Sequence, residues 1–122
     1  MNRVLITGSR EWNNIFLIKN ELNKLFDNWG TSVTLISGHC PKGADAICEN
    51  TAKELGWTIE TYPADWAQYG KPAGFIRNKK MVDLGADICL AFIKNGSRGA
   101  SSTAKLAESA NIKTLRFIEN IV

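Results

Sequence analysis

Three segments of the chain combine glycine, hydroxyl and charged residues in a way that suits an anionic ligand. They are Gly8-Ser9-Arg10, residues 37–45 and residues 95–103. In the first, the glycine lets the backbone approach a ligand closely, the serine offers a hydroxyl, and the arginine can form paired hydrogen bonds with a phosphate or carboxylate. The third is rich in glycine and serine and opens a helix, where backbone N–H groups and the positive end of the helix dipole attract phosphate.

Acidic and basic side chains near these segments can complete such a site. The second segment has glycine near both ends and carries Asp45 in the first turn of the next helix. Arg77 and Asn78 lie in the first turns of a later helix, from which a long side chain can reach across the strand ends. Ordinary structural explanations also exist: a turn for Gly8-Ser9-Arg10, an N-cap for Ser101, and a solvated charge for Arg77. The convergence of these residues on one edge of a sheet favours the functional interpretation.

Short apolar runs alternate with segments of helical periodicity, and these elements must position the candidate residues. The pattern predicts strands at residues 3–7, 33–37, 57–62, 87–92 and 112–117, helices at 15–29, 44–55, 74–84 and 100–110, and an irregular, aromatic-rich connection at 63–72. Strands that alternate with helices require right-handed crossovers and a mostly parallel sheet covered on both faces. We therefore predict one α/β domain over residues 1–122, a Rossmann-like three-layer fold with a mostly parallel sheet of about five strands.

The carboxyl ends of the strands are where this fold would place a ligand. In an open parallel sheet, the strand-to-helix loops and the helix N-termini converge there. The sequence matches neither Gly-x-Gly-x-x-Gly nor the Walker A pattern, so it carries no standard dinucleotide or ATPase signature. We predict no metal and no cofactor, and we assign no catalytic residue. The candidate ligand-binding residues are Gly8, Ser9, Arg10, Gly38, Gly43, Ala44, Asp45, Arg77, Asn78, Gly96, Ser97, Arg98, Gly99, Ala100 and Ser101.

Several other residues have both a structural and a functional interpretation. Trp12, Trp66 and Tyr69 could stack on a base, although packing in the core or at its rim is the default for aromatic side chains. Cys40 could be a reactive thiol at a loop tip. A zinc site would need an unusual set of ligands, because His39 is the one imidazole in the sequence. We therefore favour structural roles for His39 and Cys40.

Composition and charge narrow the class of protein. Hydrophobic residues make up 44% and charged residues 22% of the chain, as in an ordinary soluble globular protein. The net charge of +3 is dispersed, and no basic run exceeds Lys79-Lys80. This argues against a nucleic-acid-binding arm, so we do not expect nucleic acid as a partner.

Cysteine usage and apolar run lengths indicate the compartment. The three cysteines are odd in number and follow no Cys-x-x-Cys spacing, which favours a reducing environment over a disulfide framework. No segment approaches the roughly 18 apolar residues needed to span a bilayer, and no signal-peptide pattern is visible. We therefore expect a cytoplasmic protein with no membrane partner.

A set of short motifs runs in order along almost the whole chain. It consists of Gly8-Ser9-Arg10 with Trp12, Gly38 with Gly43-Ala44-Asp45, Pro63-Ala64-Asp65-Trp66, Ala73-Gly74 with Arg77-Asn78, Met81, Gly85-Ala86-Asp87, Ala91-Phe92 and Gly96-Ser97-Arg98-Gly99. This set resembles the YspA-like branch of the SLOG superfamily, small Rossmann-like domains common in bacteria and their phages. The superfamily also contains the DNA-processing protein DprA and the Lonely Guy (LOG) phosphoribohydrolases. The resemblance implies a nucleotide or nucleotide-derived small molecule as ligand.

The resemblance also implies that the chain forms a homo-oligomer. LOG-like relatives form dimers through helices that flank the site, and this chain has spare apolar residues in segments 15–29 and 74–84. We therefore expect a homodimer or a higher symmetric oligomer.

Comparison with the LOG enzymes separates binding from catalysis. Their Arg-Lys pair before the fourth strand corresponds to Arg77-Asn78. Their Pro-Gly-Gly-x-Gly-Thr-x-x-Glu loop binds phosphate through its glycines and uses its glutamate in cleaving the N-glycosidic bond, and it corresponds to residues 95–103. Ala100 then replaces the threonine and Thr103 the glutamate. A threonine can neither stabilise an oxocarbenium-like centre nor activate water as a carboxylate can, so the resemblance implies the phosphate site without the hydrolase activity.

Three functions stay open at this level. We favour binding or sensing of a nucleotide-derived molecule without efficient chemistry. The alternative is a LOG-like nucleotide phosphoribohydrolase with a non-standard acid, for which Asp45 or Asp65 would have to point into the cleft. Single-stranded nucleic-acid binding, by analogy with DprA, is disfavoured because the positive charge is dispersed and forms no basic groove.

Overall fold

Five parallel strands form one sheet in the computed structural model, which describes residues 2–120. The strands are β1 (Asn2–Gly8), β2 (Val33–Ser37), β3 (Thr58–Thr61), β4 (Ile88–Lys94) and β5 (Lys113–Glu119). Their order across the sheet is β3-β2-β1-β4-β5, and every neighbouring pair is parallel. The predicted Rossmann-like α/β fold is confirmed.

Four long helices and one short helix connect the strands. They are α1 (Ile15–Trp29), α2 (Ala44–Glu54), α3 (Trp66–Tyr69), α4 (Ala73–Asp83) and α5 (Arg98–Ser109). The predicted strands and long helices are confirmed, with ends that differ by one or two residues, as is usual where helices and strands fray. No helix within residues 2–120 is long and apolar enough to cross a membrane.

The short helix α3 corrects the expectation of an irregular connection at residues 63–72. The Asp65 side chain caps it by accepting the Gln68 N–H at 3.1 Å, and Gly70 ends it at φ 63°. This single-turn helix buries none of its residues. Its sequence therefore carries no apolar periodicity from which a helix could be predicted.

The three layers follow from alternation along the strands. In β1, Val4 and Ile6 belong to the apolar cluster that contains Ile18 and Leu22 of α1, together with buried residues of α2. Leu5 belongs to the opposite cluster, which contains Met81 of α4 and Ala107 of α5. Because both faces of the sheet are covered, β1 is a continuous apolar run rather than an alternating one.

The chain reverses its direction of winding between β1 and β4, which are neighbours in the sheet. The loop after β1 leads to α1 on one face, and the loop after β4 leads to α5 on the other face. The two loops therefore diverge and leave a crevice at the carboxyl ends of these strands, the usual ligand position in open α/β sheets.

Candidate functional site

A cavity of about 630 Å³ opens at this crevice, within the size range of small-molecule sites. We refer to it as the switch-point cavity. Eleven of the fifteen candidate residues line it: Gly8, Ser9, Arg10, Gly38, Asp45, Arg77, Asn78, Ser97, Arg98, Gly99 and Ala100. The structure does not place Gly43, Ala44, Gly96 or Ser101 in the lining.

Gly8 and Gly43 join the loop after β1 to the start of α2. A Cβ atom at Gly8 would overlap the Cβ of Ala44, and one at Gly43 would overlap the carbonyl groups of Ser9 and Arg10. Gly43 also adopts a φ of 76°, which disfavours any residue with a side chain. These two glycines are therefore required for close packing of the two segments.

Ser9 connects the same loop to β4. Its hydroxyl accepts the Lys94 N–H at 2.8 Å and donates to the Lys94 carbonyl at 3.3 Å. Its backbone carbonyl accepts the N–H groups of Trp12 and Ala44, each at 3.1 Å. Although Ser9 borders the cavity, its hydroxyl serves the scaffold, a role that its position in a Gly-Ser-Arg turn did not reveal.

Arg77 extends from α4 across the end of β2. Its Nη1 donates to the carbonyls of Gly38 at 2.7 Å and Tyr62 at 3.3 Å, and its Nε donates to Oδ1 of Asn78 at 2.6 Å. Burial lowers the pKa of Arg77, an effect that the negative charge of Asp45 opposes. The Nη2 group makes no hydrogen bond to the described residues, so its two N–H donors are available in the cavity.

Asp45 is a buried carboxyl group that borders the cavity. Asp45 is 7% exposed, and its Oδ2 accepts the Cys40 N–H at 3.1 Å. Burial raises the pKa of Asp45 to about 6, and the neighbouring Glu49 raises it further, while the Cys40 N–H, Arg77 and His39 act in the opposite direction. A carboxyl group that exchanges its proton near neutral pH in a cavity is a candidate functional group.

A polar network behind Asp45 orders the loop between β2 and α2. The buried Glu49 carboxylate accepts the Ser37 hydroxyl at 2.8 Å and lies 2.9 Å from Nδ1 of His39. His39 adopts a φ of 62° and donates its backbone N–H to Oγ of Ser37. The His39 ring is thus positioned by the Glu49 carboxylate. The described residues contain no cluster of metal-ligating side chains. Sequence reasoning missed Glu49 because a charged side chain on a helix is ordinarily solvated, although Glu49 stands four residues after Asp45 and three before Ala52, both buried.

Aromatic residues form the rim of the cavity on the side of α3 and α4. Trp66 and Phe75 line it and are 51% and 52% exposed. Trp66 lies over Gly74, its ring edge 3.4 Å from the point where a Cβ of Gly74 would stand. Trp12 is instead a core residue, 2% exposed and in edge contact with Phe92, and Tyr69 lies outside the lining. Phe75 was not identified from the sequence.

Basic residues and a helix N-terminus form the opposite side. Arg10 follows β1, Lys94 ends β4 and Arg98 begins α5, and all three line the cavity. Lys94 lies two residues beyond the strand predicted at 87–92 and is not among the candidate ligand-binding residues. Ser97, which precedes α5, makes no side-chain cap hydrogen bond, so the N–H groups of the first turn remain open to an anion.

Thr103 lies in the core rather than in the cavity. It is fully buried, and its hydroxyl donates to the Gly99 carbonyl one turn earlier at 3.0 Å. The carboxyl groups among the lining residues are those of Asp45 and Glu11. Asp65 caps α3 and lies outside the lining. Of the two carboxylates considered as substitutes for the LOG glutamate, only Asp45 faces the cavity.

The fold and the cavity define a Rossmann-like α/β protein with a polar and aromatic cleft at the switch point of its sheet. Residues 2–69 match the YspA, cpYpsA-related SLOG family. The chain is also 35% identical over 122 residues to the Gene 61 protein of Mycobacterium phage D29, in an alignment that covers 96% of this chain and 97% of that protein. No solved structure matches the chain. The protein belongs to the YspA, cpYpsA-related SLOG family, as its motifs predicted.

Proposed function

We propose that this protein binds a nucleotide, or a small molecule derived from one, in the switch-point cavity. The observation that carries the proposal is the division of the lining into a cationic side at β4 and α5 and an aromatic side at α3 and α4. These surfaces suit the two ends of a nucleotide, because cations and N–H groups bind phosphate and aromatic rings stack on a base. Membership of a SLOG family supports the same class of ligand.

The phosphate end of the proposed ligand lies at the start of α5. There the helix offers unbonded N–H groups, and Arg10, Lys94 and Arg98 supply positive charge. A phosphate at a helix N-terminus gains from both the N–H donors and the helix dipole. Gly99 leaves open space, since a Cβ built on it meets no atom within 4 Å.

Calorimetric titration of Gly99→Asp tests this assignment. We expect at least one of the four ribonucleoside 5′-monophosphates to bind the parent protein. Gly99→Asp should lower that affinity at least tenfold, because it adds negative charge where the phosphate binds. Gly99→Asn is the matched control, having nearly the same shape without the charge, and should keep most of the affinity. Equal affinities of the parent and Gly99→Asp, or no binding by the parent, would contradict the proposal.

Asp45 supports a second candidate function, a nucleotide phosphoribohydrolase. In that reaction water cleaves the N-glycosidic bond, so that a nucleoside monophosphate gives a free base and ribose 5-phosphate. A carboxyl group with a pKa near 6 can take part as a general acid or base. We rank this activity second because α5 places no carboxylate in the cavity and Thr103 faces the core.

Chromatography of the reaction products distinguishes the two functions. Binding without base release supports the ligand-binding function. Base release by the parent protein that is lost in Asp45→Asn supports the hydrolase instead.

A further inference from the structure

Asp45 lies between the two ends of the switch-point cavity. Trp66 follows β3, Arg10 follows β1 and Lys94 ends β4, and the strands stand in the order β3-β2-β1-β4. Asp45 lies in the first turn of α2, whose start is bonded to the loop after β1 through the Ala44 N–H and the Ser9 carbonyl. Neighbouring strands are about 4.8 Å apart, so the four strand ends extend over about 14 Å. The aromatic rings, the carboxyl group and the cations thus follow one another in the order base, sugar and phosphate.

The Asp45 carboxyl group has unused hydrogen-bonding capacity. Oδ2 accepts the Cys40 N–H, whereas Oδ1 makes no hydrogen bond to the described residues. No buried side-chain oxygen of the described residues lacks a partner, so Oδ1 is open to the cavity rather than enclosed. An ionised carboxylate there can only accept hydrogen bonds. The partner that fits is therefore a donor, and the sugar of a nucleotide carries donors in its hydroxyl groups.

Charge further restricts what can lie against Asp45. A phosphate is repelled by the ionised carboxylate and is attracted to Arg10, Lys94 and Arg98 at the other side. The base is placed by stacking near Trp66. These constraints leave the neutral, hydroxyl-bearing part of the ligand for the middle of the cavity.

From this arrangement we infer that Asp45 binds the ribose hydroxyls and makes the site selective for ribonucleotides over 2′-deoxyribonucleotides. The inference rests on the proposed nucleotide binding. It also specifies one orientation of the ligand, with the base at Trp66 and the phosphate at the start of α5. The neighbouring Nη2 group of Arg77 can donate to the ring oxygen or to a hydroxyl of the same sugar.

The selectivity should depend on pH. Burial and Glu49 raise the pKa of Asp45 to about 6 against the opposing effects of the Cys40 N–H, Arg77 and His39. Above this pH the carboxylate is ionised and accepts strong hydrogen bonds from hydroxyl groups, whereas below it the protonated form accepts weaker ones. The preference for ribose should therefore be larger at pH 7.5 than at pH 5.

Calorimetry with the four ribonucleoside 5′-monophosphates and their 2′-deoxy counterparts tests the inference on the unmodified protein. We expect the ribonucleotide to bind about tenfold or more tightly at pH 7.5, and the ratio to shrink at pH 5. In Asp45→Asn, which keeps the shape and an acceptor for the Cys40 N–H, the ratio should fall towards one and lose its pH dependence. Trp66→Ala should weaken binding of the nucleotide but not of ribose 5-phosphate, which has no base.

The outcomes separate this inference from the proposed function. Equal affinity for a ribonucleotide and its deoxy counterpart would overturn the role of Asp45 while leaving nucleotide binding intact. An undiminished ratio in Asp45→Asn would do the same. Failure of all eight nucleotides and of ribose 5-phosphate to bind the parent would overturn the proposed function, and this inference with it.

Discussion

The guanidinium group of Arg77 fills the space that a side chain at Gly38 would need. A Cβ atom at Gly38 would lie 2.5 Å from Nη1 and 2.8 Å from Cζ of Arg77, and Nη1 also donates to the Gly38 carbonyl. The end of β2 and helix α4 are thereby joined directly beneath the switch-point cavity. Gly38 acts on the site through Arg77 rather than by its own approach to a ligand.

Gly38→Ala should disturb the site while sparing the fold. Its methyl group displaces only the end of a flexible side chain, and Gly38 has no positive φ that alanine would strain. We expect nucleotide affinity to fall about tenfold with a change in Tm of only a few degrees. An affinity of Gly38→Ala equal to that of the parent would show that Arg77 need not lie where it does.

Arg77→Ala should weaken nucleotide binding by about 1.5–3 kcal/mol, or roughly tenfold to a hundredfold, the value of a charge-assisted hydrogen bond. Arg77→Lys should recover little of this loss, because a single ammonium group cannot bond Gly38, Asn78 and a ligand in the same fork. Titration calorimetry measures both variants. An Arg77→Ala protein that binds as tightly as the parent would remove Arg77 from the site.

Asp45 should make stability depend on pH. Folding raises the pKa of Asp45 to about 6, so between about pH 4 and 6 the folded protein holds a proton that the unfolded chain has released. This favours the folded state at low pH, and the advantage is lost as the pH rises through 6, by about 2–3 kcal/mol in total. Asp45→Asn should therefore stabilise the protein relative to the parent more at pH 7 than at pH 4. Urea denaturation at both values measures the difference, and an equal effect at the two would contradict the raised pKa.

Thr103→Glu should destabilise the protein rather than create a hydrolase. Thr103 is fully buried, and a carboxylate in that position would be desolvated without a partner, at a cost of about 3 kcal/mol or more. Ser102→Glu is the matched comparison, since the adjacent Ser102 is only partly buried and lines the cavity. Thermal unfolding should show a large loss of Tm for Thr103→Glu alone. Equal Tm values for the two variants would place residue 103 outside the core.

Helix α4 is the surface on which we propose that the chain forms a homodimer. Phe75 and Ile76 on this helix are 52% and 38% exposed, and Leu84, which directly follows it, is 50% exposed. Together with Lys79, Lys80 and Asp83 they border a groove of about 370 Å³. Light scattering at tens of micromolar should give the mass of a dimer. Leu84→Glu should give a monomer, whereas Ile118→Glu, which changes a 58% exposed residue of the edge strand β5, should not. A monomeric parent protein would contradict the proposal.

Local patterns in the sequence determined the elements and the edge of the sheet on which the site lies. Residues 33–37 form a strand and residues 15–29 a helix, as predicted, because apolar spacing reports which face of an element is buried. The placement of eleven candidates around one cavity follows from the same patterns, since parallel strands bring their carboxyl ends to one edge.

Only the tertiary structure decided what each of these residues does there. Adjacent positions in α5 diverge: Ser102 borders the cavity and Thr103 is in the core, because the rotation of a helix about its axis is set by packing against the sheet. The Ser9 hydroxyl is bonded to Lys94, 85 residues later in the chain, and the space at Gly38 is occupied by Arg77 from another helix. Contacts between segments distant in sequence leave no periodicity in either segment, so the chemistry of the site depends on packing that no single stretch of the chain encodes.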